Sequence, residues 1–262
     1  MILDSMFYIT LVKKYIKEKI AMKKNISVFL ILLLIFNCSV IGFAADEKQL
    51  NHIQANSYTI KGGAREATPE QIAEAEADFD PHRFDYLKKL PAEKATWYAL
   101  GVTYYGQETS MSCGPASVRM VLKYKTGTTY AESTIRNNTN YSATWGTSLA
   151  DLVSYTNSQQ NYSYTKYYGS SSSYILDGIL SAIRYSSAPP ICGLKEKSAW
   201  GFPYNGDGSH FVVIHQVTSD KSKVAVFDPW AGYIGDTGNK TYDVTANNLM
   251  NAYCASYCGI AF

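Results

Sequence analysis

The stretch from His210 to Trp230 constrains the fold more than any other part of the 262-residue chain. HFVVIHQV is an apolar, β-branched run, TSDKS is a turn composition, and KVAVFDPW is a second apolar run ending at Asp-Pro. Two such runs around a short polar turn predict a β-hairpin. PPICGL (189–194) predicts a further strand, and YCGIAF closes the chain in another. Three helical patterns precede this hairpin. Residues 115–124 follow a Gly-Pro start, 148–157 have Ser148 as a cap, and 174–185 carry apolar residues at 175, 176, 179, 180 and 183. That last spacing is one face of a 3.6-residue period. Helices first and an antiparallel sheet after predict an α+β fold.

Charge divides the chain more sharply than its net +2 suggests. Residues 1–44 carry six Lys against Asp4 and Glu18, residues 45–97 seven basic and ten acidic side chains, and residues 98–262 eleven and ten. Without the first stretch no basic surplus remains, which argues against nucleic acid as a partner, since phosphate binding needs a concentrated Lys/Arg face. Met22-Lys23-Lys24-Asn25 precedes an apolar run over 26–41, and Gly42-Phe43-Ala44 stands before Ala45. This is the layout of a secretory signal peptide cut after Ala44. Residues 1–44 are therefore read as a signal, with Met22 as a second candidate start. The mature protein is expected to be secreted or at the cell surface, with no membrane association after signal removal.

Residues 45–97 read as an acidic N-terminal arm or pro-region. Thr68 is a helix N-cap, Pro69 fits the first turn and Gln71 closes a capping box, while a second short helix around 84–90 stops at Pro91. Lys61-Gly62-Gly63-Ala64 lies in this arm. A chain with 18 Gly in 262 residues holds roughly one Gly-Gly pair by chance, so a processing site and a coincidence both stay open. The main domain is 98–262, and the charge difference suggests that the arm docks on it.

Cysteine usage is sparse. With Cys38 in the signal, the mature chain keeps Cys113, Cys192, Cys254 and Cys258, too few for a disulfide scaffold. In an extended strand Cys254 and Cys258 would be roughly 13 Å apart, beyond disulfide reach. His52, His82, His210 and His215 are not spaced with the cysteines as zinc ligands, and no metal or other cofactor is implied.

One cysteine has a distinctive setting. Cys113 stands directly before Gly114-Pro115 and a helix, where unpaired N–H groups and the helix dipole favour a thiolate. His210 opens its strand after Gly206-Asp207-Gly208-Ser209. A hairpin about Ser219 brings Asp228 within a few residues of His210, a geometry in which a carboxylate orients an imidazole. His215, five residues on, points to the other face and is the weaker candidate. Gln107, six residues before Cys113, could join the Cys113 N–H in stabilising an oxyanion.

Together, Gln107, Cys113-Gly114-Pro115-Ala116-Ser117, Gly208-Ser209-His210-Phe211-Val212-Val213-Ile214 and Asp228-Pro229 resemble the papain-like cysteine peptidases related to bacteriocin-processing, double-glycine peptidases, over about 105–232. The resemblance implies a papain-like fold with N-terminal helices packed on an antiparallel sheet. It implies Cys113 as nucleophile, His210 as general base and acid, Asp228 as its orienter and Gln107 as oxyanion donor. Peptide or protein substrates would be hydrolysed through a thioester acyl-enzyme without a cofactor. Leader-processing members are typically joined to a membrane transporter and act on the cytoplasmic side. Here no transporter follows and the chain carries an export signal, so the leader substrate is not carried over.

Two other readings remain. Exported Cys/His hydrolases of the NlpC and CHAP types cleave peptidoglycan with similar geometry, although the CGPAS block counts against those families. A non-catalytic secreted binding module could use the same scaffold, its Tyr-rich loops forming the contact surface.

Overall fold

The computed structural model describes residues 59–60, 62–90, 95–206 and 208–262. The signal expected over 1–44, with Cys38, and the positions of Lys61 and Pro91 lie outside the described residues. The elements run β1 (Thr59–Ile60), β2 (Ala64–Arg65), α1 (Pro69–Ala77), a 3-10 turn (Asp85–Lys89), β3 (Trp97–Ala99), α2 (Cys113–Thr126), α3 (Glu132–Asn137), β4 (Thr147–Ser148), α4 (Leu149–Ser158), β5 (Lys166–Tyr167), α5 (Ser172–Arg184) and β6 (Ile191–Leu194). A 3-10 turn (Ser198–Trp200) then leads to β7 (Asn205–Gly206), β8 (His210–Thr218), β9 (Lys223–Phe227), α6 (Pro229–Tyr233), β10 (Thr241–Thr245), α7 (Ala246–Cys254) and β11 (Ile260–Ala261).

The main sheet is antiparallel, in the order β10-β9-β8-β6-β11-β5, with β3 also paired to β8. β8 organises it. β9 takes one edge, while β6 (Leu194 opposite His210) and β3 (Trp97 opposite Thr218) share the other edge end to end. Phe211, Val212, Val213 and Ile214 are all fully buried, so both faces of β8 are covered. A strand covered on both faces needs a continuous apolar run rather than an alternation, which is what HFVVI provides.

The helices close the core over this strand. Val118, Met120, Val121 and Leu122 of α2 join Leu149 and Leu152 of α4, Ile175, Ile179 and Ile183 of α5, and the β8 side chains in one cluster. Burying a side chain such as Leu122 contributes about 1.5–3 kcal/mol. α2 stops at Gly127, whose φ of +73° supplies the left-handed C-terminal turn that residues with a Cβ disfavour. The expected caps form as read: Ser148 accepts from Asp151 N, and Thr68 with Gln71 closes the capping box.

The expected α+β architecture is present, and the local differences have physical causes. α2 begins at Cys113 rather than at residue 115, because the turn over Gly114-Pro115 is already helical. β9 ends at Phe227, since Asp228 caps α6 and Pro229 occupies its first turn. The second arm helix is a 3-10 turn over Asp85–Lys89. β3 straddles the arm boundary placed at 97/98 and belongs to the sheet. Cys254 ends α7 and Cys258 follows a turn, so the two do not lie in one strand; among the described residues no disulfide forms. Among those residues no helix is long and apolar enough to cross a membrane.

Candidate active site

The N-terminus of α2 meets the start of β8. Cys113 is wholly buried, and its Sγ accepts from the Phe211 backbone N–H at 3.4 Å. One turn along α2, Ser117 Oγ donates to Phe211 O at 3.3 Å, a second tie between the elements. These bonds place the sulfur beside the first residue of β8, His210.

His210 is 1% exposed, and its Nε2 lies 2.7 Å from Asp228 Oδ1. The Cys113 sulfur acts on the same ring, for which Nδ1 is the nitrogen left. Burial alone would depress the imidazolium. The Cys113 sulfur and the Asp228 carboxylate, with their hydrogen bonds, outweigh it and hold His210 well above its ordinary range.

Asp228 is fixed from four directions. Its Oδ1 also accepts from Trp230 N at 2.8 Å as the α6 cap, and its N–H donates to Lys240 O at 3.0 Å. Tyr104 Oη donates to Asp228 O at 2.9 Å and accepts from Gly232 N at 2.7 Å. Tyr242 Oη lies 3.5 Å from Asp228 Oδ2. In the hairpin Phe227 pairs with Val213, so Asp228 falls just past the paired register and reaches His210 along the strand, within the few residues expected.

Gln107 is buried on the loop before α2. Its N–H donates to Pro229 O at 3.0 Å, which ties this loop to the Asp228 turn. Its Nε2 donates to Thr109 O at 2.7 Å, and its Oε1 has no hydrogen-bond partner among the described residues. Glu132 anchors the same loop from below, accepting the Glu108 N–H with both oxygens at 3.2 and 3.0 Å. Burial raises the Glu132 carboxyl, against hydrogen bonds from Ser112 and the Glu108 backbone that lower it.

The structure therefore brings Cys113, His210 and Asp228 together in one buried cluster, His210 hydrogen-bonded to Asp228 and Cys113 bonded to the neighbouring Phe211 N–H, with Gln107 joined through the Asp228-Pro229 turn. His215 is absent from it. Its Nε2 bonds Thr241 Oγ1 at 3.0 Å and its ring stacks on Phe227 at 3.9 Å.

Sequence reading missed four supporting residues. Glu196 is fully buried behind Asp228, with Oε1 accepting from Tyr242 Oη at 2.6 Å and Oε2 without a partner among the described residues. Burial, then the Asp228 charge, pushes its carboxyl up to about 8. Between Lys195 and Lys197 it reads as ordinary loop charge, and no local signal distinguishes it. Tyr242 and Tyr104 are two of 22 tyrosines. Glu132 opens a short helix that has no apolar period.

The family model of the Peptidase_C39-like family matches residues 99–260. No curated protein matches significantly. Among solved structures, the chain is similar to the peptidase domain of Streptococcus ComA, a bifunctional ABC transporter, at 16% identity and a TM-score of 0.39, covering 63% of this chain and 95% of that one. It is also similar to a C39-like peptidase from Bacillus anthracis at 13% identity and 0.46, covering 64% and 96%. A third similarity is to the proform of the ragweed pollen cysteine protease Amb a 11, at 11% identity and 0.45, covering 65% and 66%. The matched span contains Gln107, Cys113, His210 and Asp228 together, and the chain belongs to the Peptidase_C39-like family.

Proposed function

We propose that the protein is an exported cysteine peptidase that hydrolyses peptide bonds with Cys113, His210, Asp228 and Gln107. The observation that carries this reading is the placement of the buried His210 ring between the Cys113 sulfur and, at 2.7 Å, the Asp228 carboxylate. Three such groups in line supply a nucleophile, a proton acceptor and a group that fixes the acceptor's tautomer.

The steps follow from that line. The Cys113 proton moves to His210 Nδ1, and Sγ attacks the peptide carbonyl carbon. The carbonyl oxygen becomes an oxyanion, for which the donors are the Cys113 N–H and the second Nε2 proton of Gln107, the first remaining on Thr109 O. The C–N bond breaks as His210 returns the proton to the leaving amine, leaving an acyl thioester on Cys113. Water, deprotonated by His210, attacks the thioester, releasing the acid and restoring the thiol. Asp228 holds Nε2–H throughout.

Replacing Cys113 by Ala is expected to reduce peptide hydrolysis to background; undiminished hydrolysis by that variant would overturn the proposal. The exported location rests on the layout of residues 22–44 and is tested by sequencing the N-terminus of the mature protein from culture medium. An N-terminus at Ala45 or later supports export, and retention of the whole segment inside the cell contradicts it.

A further inference from the structure

Gly63, the second residue of the arm's double glycine, packs beside the sulfur of Cys113. Gly63 N and Ala64 N both donate to Ser209 O, at 3.0 and 3.1 Å, on the residue just before His210. Gly63 O accepts from Thr147 N at 3.0 Å on the opposite side. The flanking pieces extend the grip, β2 pairing parallel with β4 (Ala64 opposite Thr147) and β1 parallel with β7 (Ile60 opposite Gly206). The arm thus bridges two walls, 147–148 on one side and Asn205, Gly206, Gly208 and Ser209 on the other, with Cys113 beside Gly63.

The fit admits main chain only. A Cβ at Gly63 would overlap the Met111 carbonyl and stand 2.8 Å from Cys113 Sγ. A Cβ at Gly62 would stand 2.8 Å from Gly208 Cα, and Gly62 has a φ of +79°. Gly146 packs against the Gly63 carbonyl with no room for a side chain of its own. Beyond the pair, Ala67 N donates to Tyr257 O at 3.2 Å and Gln71 Nε2 to Ser148 Oγ at 3.4 Å.

The seating is that of a blocker rather than of a reacting peptide. An acyl group under attack must turn its oxygen toward the donors beside the nucleophile. Here the Gly63 oxygen is held by Thr147 N, and the Ala64 oxygen lies 3.6 Å from Cys258 Sγ. We infer that residues 62–65, with β1 beside them, dock in cis in the peptide-binding cleft and hold the site closed, so that the full chain is a latent form opened by withdrawal or removal of the arm. This rests on the peptidase reading of the site, but its test does not.

Alkylation of Cys113 by iodoacetamide, followed by peptide mass spectrometry, reports access to the sulfur without requiring catalysis. Gly63→Val and, separately, Gly62→Val in the full chain are expected to speed labelling of Cys113 roughly tenfold or more, as a local closure is removed. Continued protection of Cys192, fully buried in β6, verifies the fold in each variant. Faster labelling together with newly released peptide hydrolysis supports the inference. Faster labelling with no hydrolysis also supports it, and counts against the peptidase reading instead. Unchanged labelling in both variants would overturn it. So would a new N-terminus at Ala64 formed by the intact protein but not by Cys113→Ala, since the arm would then be a substrate.

Discussion

His210 and His215 stand five residues apart on one strand, both almost without exposure, yet their imidazoles are displaced in opposite directions. Burial pushes His215 down to about 4, because a hydroxyl and the Phe227 ring leave an imidazolium without a counter-charge. Burial acts on His210 in the same sense, but sulfur on one side and carboxylate on the other reverse it. The contrast shows that depth does not make a histidine chemical. The charges that β8 is brought against at its first residue do, and they are missing further along the strand.

The largest expected difference is in turnover. His210→Ala should lower hydrolysis roughly 10⁴-fold or more, whereas His215→Phe should keep it within a few-fold, measured as kcat/KM on a common peptide substrate. Comparable losses in the two variants would erase the distinction. Asp228→Asn tests its cause. Asn retains capping ability for α6, so folding should survive, while kcat drops by roughly 10²–10⁴-fold with the lost orienting charge. The His210 resonance should then titrate at lower pH, and an unmoved titration would show that the carboxylate does not hold the imidazolium.

Stability against pH separates the two histidines by sign. His215 is depressed, so the unfolded chain binds the extra proton below its ordinary 6.5. Its contribution is present above 6.5 and is lost as pH falls toward 4, on the order of 3 kcal/mol at full loss. His210 is raised, so its contribution is complete below 6.5 and is lost as pH rises through its folded value. Urea unfolding from pH 4 to 7 should show His215→Phe lacking the acid-side loss that the wild type displays. Parallel curves would contradict the assignment.

A further pH effect, on stability alone, concerns Glu196. Its carboxyl is raised from 4.5 to about 8, so its burial weakens the fold progressively across that interval. Glu196→Gln should gain stability relative to the wild type as pH rises from 4.5 to 8, with the hydrogen bond from Tyr242 kept. A pH-independent difference would mean that Glu196 is not held neutral behind Asp228.

Much of this was readable from the chain, for reasons tied to particular residues. The HFVVI run, the Ser148 cap and the 175–183 period are local signals, and local physics decided those elements. Cys113 and His210 were legible because each sits at the start of an element marked by Gly and Pro. Asp228 was legible because the TSDKS turn fixes the hairpin arithmetic. Glu196, Tyr242 and Glu132 were not, since each acquires its role from a partner 14 to 46 residues away through tertiary packing. α3 and α7 are short, six and nine residues, and were not read as helices; in α7 only Leu249, Ala252 and Tyr253 mark the buried face. Gly62-Gly63 was visible but mute, because composition alone supplies about one such pair, and only the contact with Cys113 gives it a place.

The central claim is that Cys113 performs peptide hydrolysis, and one side-by-side assay addresses it. Cleavage of a mixed peptide library is measured for the intact protein and for Gly63→Val, each with and without Cys113→Ala. Hydrolysis confined to forms that retain Cys113, and stronger where the arm is released, is the expected result. Hydrolysis that persists after Cys113→Ala, or that is missing from every form although Cys113 alkylates freely, would contradict the account.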